Sequence, residues 1–281
     1  SLVPVGADGA IALKTTLAGT VHVVADVQGY IVAGAVTAPG AVVPVTPTRV
    51  LDTRTTGHVG PWGTVTLSVT QGAGVPADAA AVFANLTVTG PQVSGFLTAW
   101  PTGVTKPTAS NVNFVANQTV PNLAIVKLGA DGAISIYNST SKPLDVVVDI
   151  QGYVRGGTAT LPGTVVPVTP TRAVDTRLGL NASGPVAANS GVVVGLDSPS
   201  LSAVPQGAVI NLTVTEPRES GYLSAYPFGV PAPLVSNLNF TPGATVPNLS
   251  LATLNDGFAV LYNGSPGTVQ MVADVLAYVL Y

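Results

Sequence analysis

AVFANLTVT, residues 81–89, places Val82, Ala84, Leu86 and Val88 at every second position. A strand turns successive side chains to opposite faces, so these four share one face. GTVTLSVT (63–70) does the same with Val65, Leu67 and Val69. Turn signals separate such runs: Gly72, Gly74 and Pro76; Gly90 and Pro91; Pro101 and Gly103; Asp131 and Gly132. ADG (130–132) between two β-rich runs is a hairpin signal. PADAAAVFA (76–84) comes nearest to a helical pattern, and its continuation into Thr and Val favours strand. About eight or nine strands in roughly 120 residues predict an all-β fold, a β-sandwich of the Ig-like or jelly-roll kind. A small β-barrel is the alternative.

The pattern is written twice. VTPTRVLDTR (45–54) returns as VTPTRAVDTR (168–177), and NLTVTGPQVSGFLTAWP (85–101) as NLTVTEPRESGYLSAYP (211–227). SNVNF (110–114) returns as SNLNF (236–240), and TVPNL (119–123) as TVPNL (245–249). A repeat of this length is a whole module, not a solenoid rung. The opening residues match only the end of a copy, because VVADVQGYI (23–31) parallels VVVDIQGYV (146–154) and MVADVLAYV (271–279). The expected organisation is a partial repeat at 1–30, a first sandwich at 42–154 and a second at 165–281. Gly- and Pro-containing connectors lie between them.

Charged residues make up 8% of the chain and the net charge is −3. The ten Lys and Arg form no cluster, which argues against nucleic acid and anionic lipid as partners. No apolar run approaches the roughly 18–20 residues that span a bilayer, so membrane insertion is not expected. No signal-peptide pattern stands at the beginning of the sequence. Cysteine is absent, which removes disulfides, thiolate metal sites and thiol nucleophiles. The Thr/Val/Gly-rich composition suits a secreted or cell-surface protein.

Against this uncharged background the head and tail motifs hold Asp26, Arg49, Asp52, Arg54, Asp149, Arg172, Asp175, Arg177 and Asp274. A carboxylate among valines needs a partner, and the planar fork of arginine holds it bidentately. A structural ion network is expected, comprising Arg49, Asp52, Arg54 and Asp149 in one copy and Arg172, Asp175, Arg177 and Asp274 in the other. Replacing Asp149 by Ala should then strand a buried guanidinium and lower stability by a few kcal/mol. Two pairings are open. Asp149 and Asp274 meet the arginines of their own copies, or, in a permuted module, Asp26 meets Arg54 and Asp149 meets Arg177. The first is favoured because the chain ends where a repeat ends.

A second polar set is Asn85, Asn111, Asn113 and Asn122, returning as Asn211, Asn237, Asn239 and Asn248. Asn is unfavourable inside strands, so its return needs a cause. Side-chain bonding to backbone at bulges and strand ends is one. A sugar-binding face is the other, with Phe96, Trp100, Asn111 and Asn113 in the first copy and Tyr222, Tyr226, Asn237 and Asn239 in the second. Catalysis is not expected. Neither histidine recurs, there is no G-x-S-x-G or H-E-x-x-H, and Asp52 and Asp149 stand beside arginines that keep carboxylates ionised. One carboxylate in each Asp-Gly turn falls far short of a calcium cage. No metal or cofactor is expected.

Taken in order, P-x-R-x-x-D-T-R, N-L-T-V-T-x-P, G-[FY]-L, S-N-x-N-F and V-x-D-V-x-G-Y resemble a tandem repeat module of secreted actinobacterial proteins. The module is found on surface proteins and in the accessory regions of hydrolases, and the resemblance covers nearly the whole chain. The second copy departs from it at DVLAY (274–278), losing the glycine that stands at Gly29 and Gly152. The resemblance implies a non-catalytic structural or adhesive repeat. The alternatives are a carbohydrate-binding accessory module and a head-to-tail filament subunit assembled by strand addition. Expected partners are accordingly a polysaccharide or cell-wall glycan, or another molecule of the chain through edge strands.

Overall fold

A computed structural model describes residues 2–3, 5–14, 20, 25, 27, 29–31, 37–70, 73–198, 201 and 204–280. No described residue before Val42 lies in a strand. Asp26 and part of the tail-like segment 1–30 lie outside the described residues, so the pairing considered for Asp26 does too.

The first copy comprises β1 (Val42–Asp52), a helical turn α1 (Thr53–Thr56), β2 (Thr64–Ser68), β3 (Ala79–Thr89), β4 (Gly95–Pro101), β5 (Val112–Phe114), β6 (Val120–Lys127), β7 (Ala133–Asn138) and β8 (Asp145–Arg155). The second comprises β9 (Val165–Asp175), β10 (Ser190–Gly195), β11 (Gly207–Thr215), β12 (Gly221–Pro227), β13 (Leu238–Phe240), β14 (Val246–Thr253), β15 (Phe258–Asn263) and β16 (Gln270–Val279).

In the first copy β1 pairs with β8, β2 with β7, β3 with β6 and β4 with β5, all antiparallel. These are the rungs of one long hairpin. Rolling it up adds the pairs β3·β8 and β4·β7 and gives two sheets, β1-β8-β3-β6 and β2-β7-β4-β5. This is jelly-roll order. The second copy repeats it as β9-β16-β11-β14 and β10-β15-β12-β13. The sheets stay open, so the molecule is two β-sandwiches and the barrel alternative does not form.

Alternation explains the cores. Val82, Ala84, Leu86 and Val88 all point inward, and all are buried with Leu97, Ile134 and Ile136 of the facing sheet. Ile210, Leu212 and Val214 do the same against Leu223 and Leu261 in the second copy. Each fully buried Leu or Ile contributes about 1.5–3 kcal/mol. The first core does not stop at its own module. Val165, Val209, Leu276 and Ala277 of the second copy belong to it, so one sandwich packs directly on the other.

Candidate functional site

The head motif folds on itself. Asp52 ends β1 and caps the helical turn, its Oδ1 accepting from the Arg54 backbone N–H at 3.2 Å. The Arg54 guanidinium then grips both carboxylate oxygens, at 2.8 and 2.6 Å. The intervening Thr53 is buried. Its hydroxyl donates to Asp145 Oδ1 at 2.9 Å and accepts from the Val146 N–H at 2.8 Å, tying the head to the start of β8. With both directions of hydrogen bonding used, it is no free nucleophile. His58 Nδ1 lies 2.7 Å from the same Asp145 oxygen. The sequence reading gave no role to Asp145 or His58, and neither recurs: Gln270 meets Thr176 in the other copy.

A β-bulge between Arg49 and Leu51 turns Arg49 to the outer face of its sheet, opposite Asp149. Arg49 Nε and Nη2 hold Asp149 at 2.8 and 3.2 Å; Arg172 holds Asp274 at 2.7 and 3.2 Å. Head and tail of each copy therefore meet within that copy. Arg172 also reaches Asp175 at 2.9 Å, as Arg49 reaches Asp52 at 3.5 Å.

The two pairs share geometry and differ in surroundings. The Arg49 and Asp149 side chains are 51% and 23% exposed, whereas Arg172 and Asp274 are 16% and 0% exposed. The buried guanidinium expected opposite Asp149 is thus found opposite Asp274, because the first module lies on the second pair, while no module of the described residues lies on the first. Burial pushes the Asp274 carboxyl up, outweighing the pull of Arg172. Asp52 is held down at about 2, chiefly by its hydrogen bonds from Arg54.

What covers Asp274 is the Asn-rich edge of the first module. The Ser110 N–H donates to Asp274 Oδ2 at 3.1 Å, and Asn211 Nδ2 donates to the Ser110 carbonyl at 2.5 Å. Asn122 Nδ2 donates to Asn211 Oδ1 at 2.8 Å, and Asn122 Oδ1 accepts from the Leu249 N–H on edge strand β14 at 3.2 Å. Asn113 Nδ2 stands 3.5 Å from Thr213 Oγ1. Asn113 and Asn122 of the first copy and Asn211 of the second thus build a joint between copies, beside the local backbone bonds that the asparagines make in both.

The residues considered for sugar binding divide. Trp100 is buried, with its indole N–H donating to the Val104 carbonyl at 3.1 Å, so its ring is not an open platform. Asn111 is buried and Asn237 half-buried; each accepts from a strand N–H, of Ala99 at 2.6 Å and Ala225 at 2.7 Å. Asn239 is exposed. Tyr222 and Tyr226, both half-buried, flank Tyr262 with ring centroids 6.4 and 6.5 Å away. Phe96 and Asn113 line a cleft of about 270 Å³ at the mouth of the joint, beside Lys106, Arg172 and Arg177. Among the described residues no group of three or more His, Asp or Glu is placed to hold a metal ion. No family model and no curated protein sequence matches the chain.

Proposed function

We propose that the chain is a non-catalytic, exported structural array, its two jelly rolls held together as one spacing or adhesive unit of a bacterial surface or secreted protein. The joint carries this reading. The recurring Asn, Asp and Arg residues are engaged with one another and with backbone, across modules and within them, and are not gathered around an open reaction centre. A polar joint combined with the apolar contacts of Val165, Val209 and Leu276 resists hinge motion, which a spacer requires. Small-angle scattering with a panel of glycoside, ester and amide substrates tests it. One fixed inter-module orientation, loosened by Asn122→Asp, and no turnover are expected. Turnover abolished by a single substitution would end the reading.

The joint cleft favours one second reading, a subsite for an acidic sugar. Phe96 offers an aromatic face, Asn113 an amide and Lys106 positive charge, beside the ion-paired Arg172 and Arg177, in a space fit for one small group. Retention on uronic-acid polysaccharide, lost in Phe96→Ala, would establish it. Retention unchanged by that substitution, or none at all, would discard it.

A further inference from the structure

Each module has two complementary faces, and the chain satisfies one of each. The edge built by Ser110, Asn111, Asn113 and Asn122 is docked; its counterpart in the second module, Ser236, Asn237, Asn239 and Asn248, has no module of the described residues against it. The receiving face of Asn211, Arg172 and Asp274 is covered; at its counterpart, Asn85 and Asp149 are half-buried and Arg49 is 51% exposed, with no module of the described residues against them.

The open edge is already set in the docked geometry, and the open receiving face keeps its Arg–Asp pair, while the Asn85 amide there turns to Thr87 Oγ1 at 3.5 Å. Asn122 Nδ2 donates to the Asn111 carbonyl at 2.6 Å, and Asn248 Nδ2 donates to the Asn237 carbonyl at 2.5 Å. Asn113 Nδ2 donates to Ser110 Oγ at 3.0 Å, and Asn239 Nδ2 donates to Ser236 Oγ at 3.2 Å. On the receiving side the bidentate Arg49–Asp149 pair matches Arg172–Asp274 to within 0.1 Å. These internal bonds are therefore shared by the two copies, and among the described residues the bonds across the joint have no counterpart at the open faces.

The surroundings differ in the same sense. Ala109, beside Ser110, is buried at the joint, whereas its counterpart Val235 is exposed and the adjoining Leu234 is 99% exposed. A Cβ on Gly40 would meet Ala159 and Thr164 of the second module's entry at 2.6 and 2.9 Å, while one on its counterpart Gly163 would meet nothing within 4 Å. Leu2 reaches Gln151 beside the open receiving face, and Arg49 still stands half exposed there.

We propose that the chain docks head to tail on a second copy of itself, the Ser236–Asn239–Asn248 edge of one molecule seating on the Asn85–Arg49–Asp149 face of the next. It rests on the reading of the chain as a structural array. In the seated pair the Ser236 N–H donates to Asp149, Asn85 donates to the Ser236 carbonyl, Asn248 bonds Asn85 and the Leu123 N–H of edge strand β6, and Leu234 and Val235 leave water. The contact joins two different faces, so it repeats from molecule to molecule and builds a head-to-tail array, a filament unless its rotation closes a ring. Face docking, and not strand addition, makes the bond.

The chain contains no cysteine, so single introduced thiols report single contacts. Asn113 and Thr213 touch in the joint; the corresponding intermolecular pair is Asn239 and Thr87. Mixing Asn239→Cys with Thr87→Cys chains at about 1 mM, the effective concentration a short linker provides, with diamide as oxidant, should give the mixed disulfide dimer in several-fold excess over either like dimer. Adding Arg49→Glu to the Thr87→Cys chain should remove that excess. A double-thiol chain should give a ladder of multimers, and the unmodified chain should sediment faster as its concentration rises. No excess of the mixed dimer, an excess indifferent to Arg49→Glu, or concentration-independent sedimentation to about 1 mM would overturn the proposal. If scattering still shows a fixed intramolecular joint, such a result leaves the array reading standing.

Discussion

Asn122 and Asn211 meet amide to amide across the joint, Nδ2 to Oδ1 at 2.8 Å, and both are buried. Each is further bound, Asn122 to the Asn111 carbonyl and Asn211 to the Ser110 carbonyl. Truncating either side chain leaves buried polar groups without partners. Asn122→Ala and Asn211→Ala should each cost about 1–3 kcal/mol. Asn248→Ala, at the equivalent open position, should cost clearly less. Urea denaturation of the three variants checks the order.

Asp274 and Asp149 make the same pair in different surroundings. Asp274→Ala leaves the Arg172 charge under the first module with Asp175 as its remaining partner and should cost about 1.5–3 kcal/mol. Asp149→Ala leaves Arg49 in water and should cost far less. Equal losses in thermal or urea unfolding would contradict the burial argument.

The carboxylates should titrate in opposite directions. Asp52, at about 2, lies below its ordinary 3.8, so its pairing with Arg54 supports folding fully above that ordinary value and is lost as pH falls through about 2. Asp274 lies above 3.8, so the folded state takes up its proton at higher pH than the unfolded chain does. Its contribution to stability declines as pH rises from 3.8 through its folded value. Carboxyl-carbon NMR titration should therefore find Asp274 protonating first on acidification and Asp52 well after it. The reverse order would refute both assignments.

Gly40 and Gly163 both hold a positive φ, 79° and 77°. An alanine strains the backbone at either, by about 1 kcal/mol. At Gly40 the methyl group also collides with the entry of the second module, adding about 1–3 kcal/mol. Gly40→Ala should melt at a distinctly lower temperature than Gly163→Ala.

Trp100 packs inside the first sandwich with its N–H bonded. Trp100→Ala should cost about 3–5 kcal/mol of stability. A stable variant that had lost retention on a polysaccharide would contradict that placement.

The sequence by itself determined that the chain is all-β and written twice. Alternation at Val82, Ala84, Leu86 and Val88 is a local property of a strand, and one repeat needs only one reading. It also indicated that arginines and aspartates pair, because a charge among valines demands a partner. Tertiary structure alone decided how the rolled hairpin pairs β1 with β8, and that Asp149 meets Arg49 while Asp274 meets Arg172. Those partners lie about a hundred residues apart, and nothing local encodes the distance. It alone separated Trp100, which is interior, from Phe96, which lines a cleft. It also showed which asparagines bond across the joint and which bond only within their own module. Asn122 and Asn248 stand in the same five-residue motif, TVPNL, and their roles differ only because one has a module packed against it. Burial is set by what lies across the joint, and a repeated motif carries no record of its neighbours.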